Sequence, residues 1–164
     1  MAAQRKSAAK PKPAASGHGL DFGRLPDYYG YHLRMAQLAD YADFAREAGP
    51  DAVSPGRFSL LTLLAHNPGI TQSALSQAVG LDKSTLTPAL DQLVRKGLVL
   101  RRKAASDKRS YALSLSAKGH ALLTRLTEGV ERHEANVAAL LSPAERRQFI
   151  TLLKRITQGL KERG

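Results

Sequence analysis

Two short helices meeting at a glycine, a basic pair of strands after them and long apolar-faced helices on either side are legible in the 164-residue chain. That succession predicts a mostly α protein with a small β-hairpin wing, a winged helix-turn-helix domain joined to interleaved dimerisation helices. Three observations carry the prediction. Residues 70–80 (ITQSALSQAVG) and 81–97 (LDKSTLTPALDQLVRKG) are short amphipathic runs, each closed by a glycine. Residues 98–116 (LVLRRKAASDKRSYALSLS) hold two strand-like arms around a polar turn. Most of the excess positive charge is gathered around that hairpin and on the amino-terminal tail.

Residues 1–19 are built from Ala, Lys, Pro, Ser and Gly with no large hydrophobe beyond Met1, so they are expected to be a disordered basic tail. A solubilising extension is favoured over a phosphate-binding arm. Residues 20–53 form an N-terminal dimerisation helix and loop. Its helix spans 26–47, with Tyr31, Met35, Leu38, Ala42 and Ala45 at helical spacing and Tyr28, Tyr29, Leu33, Tyr41 and Phe44 widening the stripe. The winged helix-turn-helix domain covers 54–116. Ser54-Pro55 starts its first helix as N-cap and first helical residue, and Asn67-Pro68-Gly69 ends it. Thr71 caps the next helix and Gly80 stops it. In the following helix Leu86, Leu90, Leu93 and Val94 share one face, and Pro88 is expected to distort the first turn. Residues 117–164 form the C-terminal dimerisation helices. Ser116 caps the first, and Ser142-Pro143-Ala144-Glu145 is a capping box opening the second.

The net charge of +11 is unevenly placed. The tail holds Arg5, Lys6, Lys10 and Lys12 and no acid. Residues 95–109 hold Arg95, Lys96, Arg101, Arg102, Lys103, Lys108 and Arg109 against Asp107 alone. Such focusing points to a polyanion rather than to a generally basic surface. The absence of cysteine excludes disulfides and thiol chemistry. No apolar run approaches the ~18 residues of a membrane span, and the basic start lacks the apolar core of a secretory signal. A cytoplasmic protein without a membrane partner is expected. Enzyme chemistry finds no support: there is no paired-His metal motif, Gly-rich phosphate loop or Gly-x-Ser-x-Gly elbow, and His18, His32, His66, His120 and His133 are scattered. Neither a cofactor nor a metal is expected.

The second helix of the motif offers Lys83, Ser84, Thr85, Thr87 and Pro88 near its N-terminal end, where small hydrogen-bonding groups meet a major groove. Gln92 can offer its amide to adenine, and Arg95 can reach phosphate or guanine. The hairpin adds Arg101, Arg102, Lys103 and Arg109 for backbone or minor-groove contact. Asp107 is expected to pair with and aim a neighbouring Arg. The wide apolar faces of the outer helices predict a homodimer whose two-fold axis matches a pseudo-palindromic operator in double-stranded DNA.

The strings SPGRFSLLTLL, NPGITQSALSQAVGLDKSTLTPALDQLVRKGLV and DKRSYALSLSAKG together resemble the MarR family of bacterial transcription regulators. The wing signature is met by Asp107, Arg109, Leu115, Ser116 and Gly119, and the resemblance covers residues 25–162. It implies a homodimeric regulator, usually a repressor, released from its operator by a small molecule such as a phenolic or aromatic carboxylate. It places DNA contacts at Ser84, Thr85, Thr87, Pro88 and Gln92 and at Arg101, Asp107 and Arg109. Pro88 stands where many members carry Arg. Residues 30–41 (GYHLRMAQLADY) resemble members that respond to hydroxycinnamoyl-CoA and related aromatic thioesters. Tyr28, Tyr29, Tyr31 and Tyr41 are suited to stack on a ring, His32 and Arg34 to hold a carboxylate or phosphate, and Met35 to pack beside them. Packing in the dimer interface is the competing role for these side chains. The alternative function is a nonspecific or architectural DNA-binding protein without a small-molecule ligand.

Overall fold

The computed structural model describes residues 20–51, 53–103 and 111–163. Six α-helices and three strands are present among them: α1 (Tyr29–Ala48), α2 (Pro55–His66), β1 (Ile70–Thr71), α3 (Gln72–Val79), α4 (Lys83–Arg95), β2 (Val99–Lys103), β3 (Tyr111–Leu115), α5 (Ala117–Ala139) and α6 (Pro143–Lys161). The chain forms two units, one through Leu38 and one from Ala39 onward, and α1 passes from the first to the second.

In the first unit a 3₁₀ turn over Leu25–Asp27 precedes α1. Tyr28 is extended (ψ 127°), so α1 begins at Tyr29, later than the helix expected from Pro26. The proline sits where the missing N–H costs nothing, but it opens a separate turn. Tyr31 packs edge-on against Phe22, with ring centroids 6.4 Å apart, and His32 Nε2 lies 2.9 Å from the Pro26 carbonyl oxygen.

The second unit has one leucine-rich core. Leu60, Leu61 and Leu64 of α2, Leu75 of α3, Leu86, Leu90 and Leu93 of α4, Leu113 of β3 and Leu126 of α5 are all buried. Each such side chain contributes about 1.5–3 kcal/mol through burial, so this cluster is what holds α4 in place. The predicted N-caps form: Ser54 accepts from the Arg57 N–H, Thr71 from Ala74, Ser116 from Gly119 and Ser142 from Glu145. The Glu145 carboxylate in turn accepts from the Ser142 N–H, completing the capping box. Gly80 closes α3 at φ +68°, the left-handed conformation that turns the chain towards α4.

The sheet is larger than the expected hairpin. β1 pairs antiparallel with β3 (Ile70 opposite Leu113) and β2 pairs antiparallel with the other edge of β3 (Val99 opposite Leu115, Lys103 opposite Tyr111), giving the order β1-β3-β2. Ile70 and Thr71 therefore belong to a strand rather than to the helix that follows, because pairing with β3 satisfies backbone groups that the Thr71 cap leaves outside α3. Two close approaches lock α5 to its neighbours. A Cβ on Gly119 would sit 2.2 Å from the Leu98 carbonyl oxygen, and one on Gly129 would sit 2.6 Å from that of Glu47.

Candidate nucleic-acid interface

Asp82, not singled out from the sequence, organises the tip of α4. Its carboxylate accepts from the Thr85 N–H (2.8 Å), the Ser84 hydroxyl (2.6 Å) and the Thr85 hydroxyl (3.1 Å). These bonds, the one from Ser84 first, hold the Asp82 carboxyl below its ordinary pKa. The signal is an Asx residue directly before the polar start of the helix. Lys83, Ser84 and Thr85 are exposed around this cap. Thr87 is half-buried; its hydroxyl donates to the Lys83 carbonyl (2.6 Å) and accepts from Gln72 Nε2 (2.7 Å), bracing α4 against α3. Pro88 is exposed, and α4 runs unbroken past it to Arg95.

Two residues expected to contact DNA have partners within the protein. Gln92 is half-buried, and its amide oxygen accepts a hydrogen bond from the Arg57 guanidinium on α2. Helical geometry explains this: Gln92 follows Asp91 round the helix and meets α2 instead of the outer face. Arg101 faces inward from β2, opposite Leu113. Its Nη2 lies 3.1 Å from Asp91 Oδ1, and its guanidinium carbon lies 5.7 Å from the centre of the Tyr111 ring. Nε and Nη2 are buried without a well-directed hydrogen-bond acceptor, so the contact with Asp91 is chiefly ionic. Strand alternation accounts for the difference between neighbours: Arg101 turns towards α4, while Arg102 is exposed. Lys103, at the end of the strand, and Arg95, at the end of α4, are also exposed. Asp107 and Arg109 lie outside the described residues.

The aromatic residues considered for a ligand are mostly accessible. Tyr28, Tyr29 and Met35 are exposed, as are His32 and Arg34, while Tyr31 is half-buried. Arg24 lies over the Tyr28 ring at 5.6 Å. Tyr41, in the second unit, is exposed.

His133 is a buried polar group that sequence spacing does not distinguish from the other histidines. Its Nδ1 is 2.7 Å from Asp43 and its Nε2 3.1 Å from Asp40, and its ring meets Phe44 edge-on. Beside it Arg132 of α5 bonds the Glu47 carbonyl oxygen (2.9 Å) and side chain (3.3 Å). This polar seam joins the second half of α1 to α5.

A short helix projecting over a glycine turn from a leucine core, flanked by a three-stranded sheet, defines a winged helix-turn-helix protein. The MarR family model matches residues 53–111. A Thauera aromatica protein, described as the transcriptional regulatory protein proposed for the hcr operon, is 38% identical over 147 residues, spanning 88% of this chain and 89% of that one. The transcriptional repressor CouR bound to a 23-mer DNA duplex superimposes with a TM-score of 0.77 at 35% identity, covering 84% of this chain and 98% of CouR. CouR bound to p-coumaroyl-CoA gives the same TM-score at 34% identity, covering 84% of this chain and 97% of that one. The chain belongs to the MarR family and is a transcriptional regulator of that type.

Proposed function

We propose that the protein is a cytoplasmic, non-enzymatic repressor that binds a pseudo-palindromic operator as a homodimer. A small aromatic ligand, an aromatic carboxylate or its CoA thioester, releases it. The observation that carries the DNA reading is the exposed tip of α4, where Lys83, Ser84 and Thr85 surround the Asp82 cap, together with the exposed Arg102 and Lys103 of the adjoining wing. Because Asp82 already occupies the positive end of the helix, phosphate contacts fall to the lysines and arginines around it. Ser84, Thr85 and Pro88 face the bases; Lys83, Arg95, Arg102 and Lys103 face the backbone; Arg109 and Asp107 belong to the wing signature.

Dimerisation is supported by exposed apolar side chains on α6 (Phe149, Ile150, Leu152, Ile156 and Leu160) and, separately, by Leu33, Met35 and Leu38 on α1. A soluble domain seldom leaves so many large hydrophobes in water without a partner. The effector reading rests on the likeness to CouR, whose complex contains p-coumaroyl-CoA, and on the tyrosines and Arg34 of α1. No helix among the described residues is long and apolar enough to cross a membrane.

The test is a competition assay. Labelled promoter DNA should stay bound in excess random duplex, lose affinity steeply with salt and be released by p-coumaroyl-CoA. Equal affinity for random and promoter duplexes would establish the architectural alternative. Retention of the complex in saturating thioester and free aromatic acid would remove the effector.

A further inference from the structure

The first turns of α4 carry the hydroxyls of Ser84, Thr85 and Thr87, and each has already committed its proton inside the protein. Ser84 donates to Asp82 Oδ1 at 2.6 Å, and Thr85 donates to Asp82 Oδ2 at 3.1 Å. Thr87 donates to the Lys83 carbonyl oxygen at 2.6 Å. The direction of these bonds follows from chemistry. A carboxylate and a carbonyl have no proton to offer, so the hydroxyl is the donor. The Asp82 carboxyl is held below its ordinary pKa, first of all by the Ser84 bond, which keeps it ionised at neutral pH. A hydroxyl has one proton and two lone pairs. Thr87 is half-buried and also uses a lone pair, on Gln72 Nε2 at 2.7 Å. Ser84 and Thr85 are exposed, so their lone pairs are open to an outside donor.

Base edges divide by the same chemistry. In the major groove cytosine N4 and adenine N6 offer N–H groups, whereas guanine N7 and O6 and thymine O4 only accept. Phosphate oxygens only accept as well. A hydroxyl with a free proton can pair with either kind. One whose proton is committed to a carboxylate can pair only with the first, because against the second two sets of lone pairs face each other. The charge on Asp82 acts in the same direction: it polarises both hydroxyls into better acceptors and disfavours a phosphate beside them.

We propose that Asp82 sets the base preference of the α4 tip: by taking the protons of Ser84 and Thr85, it makes them acceptors that read the exocyclic amino groups of adenine or cytosine. This rests on the operator-binding role proposed above. Asp82 acts through the two hydroxyls, as a positioning residue. Contacts to phosphate and to guanine are left to the cationic side chains around it.

The test titrates the full chain against its promoter duplex, a random duplex, and promoter duplexes altered at each footprinted base pair in turn. Positions where Ser84→Ala or Thr85→Val abolishes the parent's discrimination are those that the hydroxyls read. There the parent should require adenine or cytosine. Replacing that adenine by purine, or that cytosine by its analogue without the 4-amino group, should weaken the parent about threefold to tenfold, the scale of one hydrogen bond. The matching variant should not notice the replacement. Asp82→Asn tests the reversal. Its amide oxygen keeps the Thr85 N–H and so the cap, but its NH2 stands where Oδ2 accepted the Thr85 hydroxyl. Thr85 regains its proton for the groove, and its position should shift towards guanine or thymine. Ser84→Ala and Thr85→Val leave the cap untouched, so the test does not depend on Asp82→Asn folding.

Guanine or thymine at the positions that the parent's hydroxyls read overturns the proposal. Tolerance of purine at a required adenine overturns it by placing the hydroxyl on N7. An unshifted Thr85 position in folded Asp82→Asn overturns it. Equal weakening of Ser84→Ala and Thr85→Val on promoter and random duplex overturns it by placing the hydroxyls on phosphate, and unchanged affinity in both variants overturns it too. These failures leave the parent's preference for promoter over random duplex intact. Absence of that preference is the failure of operator reading itself, and the proposal falls with it.

Discussion

Arg101 and Asp91 allow the division of labour in the wing to be measured. The two side chains keep 27% and 39% of their surface in water, and the Asp91 oxygen is 3.1 Å from Arg101 Nη2. A partly exposed pair of this kind is worth only about 0–1 kcal/mol. Removing one partner is a different perturbation. Asp91→Ala leaves the buried Nε and Nη2 of Arg101 beside no counter-charge, and stranding buried polar groups costs about 1–3 kcal/mol. Arg101→Met removes those nitrogens and keeps a long side chain over Tyr111, so its cost should stay within about 1 kcal/mol. The double variant should resemble Arg101→Met, because the stranded charge is gone. Thermal melts at equal protomer concentration read the difference, at about 2–4 °C for each kcal/mol in a chain of this size. Operator titrations at several salt concentrations supply the functional arm. Arg101→Met should leave the salt slope intact, whereas Arg102→Ala should reduce it by about 1 for each phosphate that is no longer neutralised. The reasoning is refuted if Asp91→Ala is as stable as the parent, or if Arg101→Met flattens the salt dependence as much as Arg102→Ala does.

Gly119→Ala should destabilise the fold by about 1–3 kcal/mol in urea unfolding, because the new methyl would meet backbone at Leu98 that cannot swing aside. Asp82→Ala should lower thermal stability at neutral pH. The folded carboxyl is depressed, so the parent's advantage is full above the unfolded pKa and is lost as pH falls through the folded one; melts taken from neutral pH to below about pH 4 should show the two proteins converging. Arg34→Ala should leave operator affinity unchanged in a titration and blunt release by p-coumaroyl-CoA; loss of the dimer in sedimentation would assign Arg34 to the interface instead.

The helices are legible where chemistry is local. Ser54, Thr71, Ser116 and Ser142 each precede a helix and cap it, since the cap needs only a side-chain oxygen and an N–H three residues on. The inward leucines of α4 follow from their spacing. What spacing cannot supply is long-range pairing. β1 has two residues and no alternation to recognise; only β3, more than forty residues later, makes it a strand. The polarity of Gln92 and Arg101 suits a groove and points them outward in the sequence, but Arg57 and Asp91 draw them inward. His133 is indistinguishable in sequence from the exposed His32, His66 and His120 until Asp40 and Asp43 arrive from ninety or more residues upstream.

Those long-range contacts bear on how α4, the helix proposed to face the operator, responds to anything bound elsewhere. α4 is tethered on three sides: to α3 through Thr87 and Gln72, to the wing through Asp91 and Arg101, and to α2 through Gln92 and Arg57. With the buried leucines beneath, these tethers make independent tilting of α4 costly, so α4 should turn as a unit with α2, α3 and β2. An effector bound elsewhere can shift operator affinity only by its preference for one arrangement of α4 over another. The three tethers should therefore stay intact when p-coumaroyl-CoA is added. Nuclear magnetic resonance should show the Arg57–Gln92, Thr87–Gln72 and Arg101–Asp91 contacts unmoved at saturation. Movement of all three, with loss of the Leu86 and Leu90 packing signals, would mean that α4 and its neighbours deform instead of turning as a unit.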